Sequence, residues 1–267
     1  MQLNYKKFGE GEPLIILHGL FGSLDNWQTI ARNMVAVAQT EFGYAMSIYI
    51  VDQRNHGRSP HSYEFNYNLL ADDLIQFIKQ HQLEKLNVLG HSMGGKAAMQ
   101  FAQLHPEKIK KLVVVDITPA AYDDRHSDVF EAIAYAINPK TETRKEIEQR
   151  LREKLHDDEP TIQFLLKNVE RTDTGFKWKF NAQSLKDKYH LISDEVALQQ
   201  PVLCPTLFVK GERSLYINTN NYSSIADMFP NHTLAEIKNS GHWVHAEKPV
   251  EFTETTVRFL ADKDHQN

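Results

Sequence analysis

The sequence predicts an α/β fold, with a mostly parallel central sheet covered by helices on both faces and a helical segment inserted into it. Three observations predict this. Short, nearly continuous apolar runs alternate with amphipathic helix-length segments through the first 115 residues. Runs that are apolar throughout suit strands covered on both faces, and strand–helix alternation is what builds a parallel sheet. The alternation stops near Pro119 and resumes only after Gln200. Finally, the chain has 267 residues, 41% hydrophobic and 24% charged, an ordinary globular composition at a length that α/β folds reach as one unit.

Taken in order, Leu14-Ile15-Ile16-Leu17, Ile48-Tyr49-Ile50-Val51, Leu86-Asn87-Val88-Leu89 and Leu112-Val113-Val114-Val115 read as strands. The stretch from Asn66 to Gln80 carries Leu70, Leu74, Ile75 and Ile78 at helical spacing, and Lys96 to Leu104 is similar. From Pro119 to Gln200 there are helical segments but no convincing β run. One of them, Thr141 to Asp158, carries mixed charges three and four residues apart, as expected of a solvated helix face. Strand-like runs return at Thr206-Leu207-Phe208-Val209 and, more weakly, at Leu234-Ala235-Glu236-Ile237, before a last amphipathic helix from Pro249 to Leu260. The expected division is a core of residues 1–117 and 201–267 and a helical cap over 118–200. No internal repeat or low-complexity tract interrupts it.

Charge narrows the partners. Thirty basic against thirty-five acidic residues give a net charge of −5 and a pI near 6.2, so there is no basic field for nucleic acid or anionic lipid. One cysteine, Cys204, excludes an internal disulfide framework and a multi-thiolate zinc site, which suits a reducing cytoplasm. The first residues lack the apolar stretch of a signal peptide, and no run reaches the ~18 apolar residues of a membrane span. A cytoplasmic, soluble chain is the expectation.

The sharpest chemical signal is Gly90-His91-Ser92-Met93-Gly94, a G-x-S-x-G directly after a buried strand and opening a helix. A strand-to-helix elbow needs small neighbours and presents its serine hydroxyl to a pocket. The helix N-terminus favours negative charge there, and the Met93 N–H can donate to a developing oxyanion. A second donor must come from the loop after an earlier strand, and His18-Gly19-Leu20 supplies the Leu20 N–H. His18 reads as a loop-shaping residue. The general base should follow late in the chain, and Asn239-Ser240-Gly241-His242-Trp243 offers His242, with His245 and His232 as rivals. A His242/His245 metal pair lacks accompanying carboxylates or thiolates, so neither metal nor cofactor is expected.

In these three segments the chain resembles the α/β-hydrolase superfamily. It departs from the superfamily's commonest pattern at the acid, because Gly211-Glu212-Arg213-Ser214 has Ser where that pattern has Asp. Asp116 ends a strand at the sheet edge where open α/β sheets place their sites, and there it can fix and stabilise the imidazole. Glu212 is the competitor and Asp52 a weaker one. Asp52-Gln53-Arg54-Asn55-His56-Gly57-Arg58-Ser59, Leu20 to Trp27, Val115 to Pro119 and Lys210 to Ser214 further resemble the bacterial YbfF-type esterases; His56 is taken as shaping its loop.

That resemblance implies a helical cap inserted after the sixth strand. It also implies Ser92, Asp116 and His242 as catalytic residues with Ser214 as an accessory, and a small-molecule carboxylic ester, or an acyl-CoA thioester, as substrate. The alternatives are a C–C bond hydrolase of the same fold and a ligand-binding homologue with little catalysis. Natural substrate and oligomeric state are not legible.

Overall fold

In the computed structural model, residues 1–156 and 158–262 are described. Asp157, inside the predicted 141–158 helix, and 263–267, at the end of the expected core, lie outside them. The chain runs β1 (Tyr5–Phe8), β2 (Glu12–Leu17), α1 (Gln28–Phe42), β3 (Met46–Val51), α2 (Tyr67–Gln80), β4 (Leu86–His91), α3 (Met93–Leu104) and β5 (Ile109–Val115). An inserted segment follows, with α4 (Ser127–Ala136), α5 (Arg144–Leu155), α6 (Glu159–Lys167), β6 (Val169–Thr172), β7 (Gly175–Trp178), α7 (Ala182–Asp187) and α8 (Tyr189–Ser193). The chain then returns through β8 (Thr206–Gly211), α9 (Tyr222–Met228), β9 (His232–Ile237), α10 (Val244–Glu247) and α11 (Pro249–Ala261).

The main sheet has the order β1-β3-β2-β4-β5-β8-β9, parallel except for β1, which pairs antiparallel with β3. From β2 the chain steps outward to β3, crosses back to β4 and continues the other way. The carboxyl ends of β2 and β4 therefore flank the point where strand order reverses, where open sheets bind ligands. One face packs on α1 and α11 through residues such as Ile48, Ile50, Met34 and Phe252. The other packs on α2 and α3 and is continuous with the interior of the inserted segment.

Local signals explain the elements. Asn66 caps α2 by accepting the Leu69 N–H at 2.9 Å, and α1 stops at Gly43, whose φ of 56° is left-handed. Helix α5 buries Ile147, Leu151 and Leu155, four residues apart, under its charged outer face.

Two expectations change. The inserted segment follows the fifth strand of this chain rather than a sixth, because only β1 to β5 precede it. It is also not wholly helical, since β6 and β7 pair as a hairpin. Each strand is four residues long and mixes charge with apolar residues, so neither gives the alternation or apolar run from which strands are recognised. Tertiary contact holds the hairpin: Trp178 stacks on Phe180 and donates its indole N–H to the Ile133 carbonyl of α4 at 3.1 Å. Among the described residues no helix is long and apolar enough to cross a membrane.

One buried ion pair ties the loop after β3 to α2. Arg54 donates Nε to Asp73 Oδ2 at 2.6 Å and Nη2 to Oδ1 at 3.0 Å, with both side chains buried. Removing one partner of such a pair strands a charge, so Asp73→Ala should lower stability by about 3–5 kcal/mol. Urea unfolding of the variant measures this, and a loss below ~1 kcal/mol would show the pair to be dispensable.

Candidate active site

The serine of the motif sits where β4 turns into α3. Ser92 has φ 53° and ψ −121°, a strained conformation, and occupies the cap position of α3. The turn is possible only because its neighbours lack side chains. A Cβ on Gly90 would lie 2.1 Å from the Gly94 carbonyl oxygen, and one on Gly94 would lie 2.3 Å from that of Leu17. The side chain at 92 is left at the mouth of the elbow, 6% exposed.

The loop after β2 lies against it. A Cβ on Gly19 would come within 3.3 Å of Ser92 Cβ, so glycine permits this approach. The loop is fixed by two imidazoles. His18 Nε2 accepts the Gln53 N–H at 3.1 Å, so its Nδ1 carries the proton given to the Gly19 carbonyl at 2.8 Å. His56 Nε2 accepts the Phe21 N–H at 3.2 Å, and its Nδ1 donates to the Arg54 carbonyl at 2.9 Å. Burial holds both rings below the usual histidine range, which suits these neutral roles. Phe21 N–H is thus occupied. Leu20 N–H, next to it, donates to no acceptor among the described residues. Leu20 and Ser92 line one cavity of about 250 Å³.

Asp116 follows β5 at φ 52° with no solvent exposure. Its N–H donates to the Val209 carbonyl at 2.8 Å, anchoring the turn to β8. Its carboxylate has three donors. Gly211 N–H reaches Oδ1 at 3.1 Å, while Oδ2 accepts the Ser214 hydroxyl and, at 2.7 Å, His242 Nδ1. Ser214 Oγ in turn accepts the Tyr216 N–H at 3.3 Å. An acceptor on Nδ1 leaves Nε2 of His242 as the nitrogen that can take a proton. His242 and Ser92 line the same cavity, although among the described residues no hydrogen bond joins them.

The rivals are placed elsewhere. Glu212 is exposed, accepts Lys238 Nζ at 3.0 Å and the Asn239 N–H at 2.8 Å, and these bonds hold its carboxyl below the usual range. Asp52 accepts the N–H groups of Leu24 and Arg58 and so braces its own loop. His245 stacks on Trp27 with centroids 4.0 Å apart, and burial takes its pKa down to about 3. His232 donates Nδ1–H to the Phe229 carbonyl at 2.8 Å, away from the cavity.

Several contributors escaped sequence reasoning. Tyr216 lays its ring over His242, with centroids 4.3 Å apart. His91, inside the motif itself, donates Nε2–H to the His242 carbonyl at 2.9 Å. The inserted segment closes the cavity with Val129, Phe164 and Leu165, and adds polar Arg125, His126 and Asp158. No spacing rule in a single sequence predicts such contacts between distant segments.

Three comparisons accord with this architecture. The family model described as alpha/beta hydrolase fold matches residues 12–249. A solved structure of a marine microorganism esterase has 43% sequence identity and a TM-score of 0.90, covering 97% of this chain and 99% of its own. The esterase YbfF of Escherichia coli is 36% identical over 94% of this chain and 93% of its own length. An sn-1-specific diacylglycerol lipase of Danio rerio is 34% identical over 97% of this chain and 83% of its own length. By sheet topology, family match and these relatives, the chain belongs to the α/β-hydrolase family.

Proposed function

We propose that the protein is a serine hydrolase of carboxylic esters that works through an acyl-enzyme on Ser92. The observation that carries this reading is the 2.7 Å bond from His242 Nδ1 to the buried Asp116 carboxylate, with the far side of the ring on the cavity that holds Ser92. Ser92 Oγ attacks the acyl carbon as His242 Nε2 takes its proton, and the imidazolium is stabilised by Asp116. The N–H groups of Leu20 and Met93 hold the oxyanion, each contributing roughly 10²–10³ in rate. Collapse expels the alcohol, which takes its proton from His242. Water then attacks the acyl-enzyme by the same base, releasing the acid and restoring Ser92.

Ser214 is an accessory residue, and residues 118–200 act as a cap over the cavity. Relatives named as esterases and a lipase support an ester carbonyl over a C–C bond as the target. Acyl-CoA thioesters follow the same chemistry with a thiol leaving group. A half-buried Cys204, its thiol pushed up to about 11 by burial, fits a reducing cytoplasm.

A panel of p-nitrophenyl esters of increasing chain length, run beside acyl-CoA thioesters, tests the reaction class; hydrolysis of none would refute it. A fluorophosphonate should label Ser92 stoichiometrically and nothing else, and Ser92→Ala should abolish labelling and turnover while the protein stays folded. Mass mapping of the adduct to another residue would overturn the assignment.

Asp116→Asn should lower kcat by ~10⁴, as when a triad acid loses its charge, whereas Glu212→Gln should stay within about threefold of the parent. The reverse ranking would move the acid to the loop after β8. Ser214→Ala should lower kcat/KM only ~3–10-fold, the worth of a neutral donor. A loss as complete as that of Ser92→Ala would make the hydroxyl obligatory.

A further inference from the structure

Lys96 stands one turn along α3 from Ser92, and its N–H donates to the Ser92 carbonyl at 3.1 Å. Its side chain is fully buried, which is unusual for lysine. Nζ donates to the carbonyl oxygens of Ala120, at 2.8 Å, and of Asp194. It also lies 4.8 Å above the ring of Tyr122. Ala120 belongs to the chain leaving β5 for the inserted segment, and Asp194 to the chain coming back. These two crossings are bonded to each other as well. Tyr122 N–H meets the Ser193 carbonyl at 3.0 Å, and Val196 N–H meets that of Pro119 at 2.7 Å. The two crossings form a narrow neck; Lys96 enters it from α3, while Tyr67 of α2 donates its hydroxyl to the Ile192 carbonyl beside it at 2.7 Å.

We propose that Lys96 is a positioning residue: it pins both crossings to the helix that presents Ser92 and so sets how far the segment above the site opens. This rests on the reading of residues 118–200 as a cap over Ser92. A side chain serving only to fill space would not need a terminal donor aimed at two carbonyls from two distant segments. The donors on Nζ also give those two carbonyls the partners that no strand supplies. Opening the neck would return Nζ to water and leave α3 itself unchanged.

The position has a pH consequence. Burial pulls Lys96 down to about 7 in the closed neck, against the opposing pull of the Asp194 and Glu195 carboxylates on the returning crossing; Tyr122, on the outgoing one, stays neutral. An open, hydrated Lys96 would hold its proton up to the ordinary lysine range. The closed form therefore binds fewer protons than the open one between these limits. Its stability rises with pH across that window and is lost as pH falls toward 7.

Hydrogen exchange on the full chain, corrected for intrinsic rates, tests this without depending on activity. Lys96→Met keeps the linear shape and removes the donor. Exchange at residues 120–122 and 193–196 should be roughly tenfold faster than in the parent, with β4 and β5 unchanged. KM for a hexanoate ester should rise several-fold while kcat stays within about threefold. In the parent, protection of the crossings should increase from pH 7 to pH 9.5, and in Lys96→Met it should not.

Unchanged exchange at the crossings, or an equal rise throughout the core, would overturn the proposal. Should the variant not fold, the parent's pH series decides alone, and protection that is flat or falls above pH 7 would refute the pin. Loss of ester hydrolysis in the parent would instead count against the proposed reaction and leave the exchange result standing.

Discussion

The burial of the Asp116 carboxylate is the constraint on which the rest of the site depends. An ionised carboxyl with no exposure is tolerable only if its oxygens are supplied with donors, and here three donors come from two segments. Gly211 ends β8 and Ser214 follows it, and His242 follows β9. Satisfying one anion therefore aligns the carboxyl ends of β5, β8 and β9 and sets the imidazole tautomer in the same act. The left-handed φ of Asp116 is the local strain that aims the side chain inward, and its own N–H to Val209 helps to hold it.

On the other side of the strand-order reversal the constraint is steric. Gly19, Gly90 and Gly94 let two loops and a helix start meet at distances that any side chain would forbid. The same crowding is why His18 and His56, residues that could be mistaken for bases, are spent on holding backbone. In the proposed mechanism the Leu20 N–H must not drift, and buried neutral rings fix its loop without adding charge next to Ser92.

How far the sequence was legible follows from this. The strands β2, β3, β4, β5 and β8 are apolar on both faces because they are interior, so their composition shows them directly. Edge strand β1 alternates nothing that a reader would trust: Tyr5-Lys6-Lys7-Phe8 is mostly exposed. The hairpin β6–β7 was hidden for the same reason. At the site, Ser92 and the glycines carried a local signal because an elbow imposes steric rules on its neighbours. Tyr216, Arg125 and Phe164 carried none, since their place at the cavity is decided by how the inserted segment and the β8 loop fold back, which is tertiary. Asp116 lay between these cases. Its strand-end position was readable, but the bond that pairs it with His242 spans 126 residues.

The hydroxyl at position 214 is best understood by asking what a second carboxylate would do there. Ser214 Oγ and His242 Nδ1 share Asp116 Oδ2, so an aspartate at 214 would bring a second carboxyl into hydrogen-bonding contact with the buried one. Like charges so close cannot both ionise, and the pair would retain one proton. The stabilisation of a developing imidazolium would then depend on which oxygen held that proton. A serine supplies the donor without the second charge, and it receives the Tyr216 N–H in return, which seats the Tyr216 ring over His242. With Asp116 after β5 as the proposed acid, position 214 itself need not carry charge, and its hydroxyl supports the group that binds the imidazole. The absence of the usual aspartate at 214 and the presence of Asp116 are thus one electrostatic choice made at two places in the sequence.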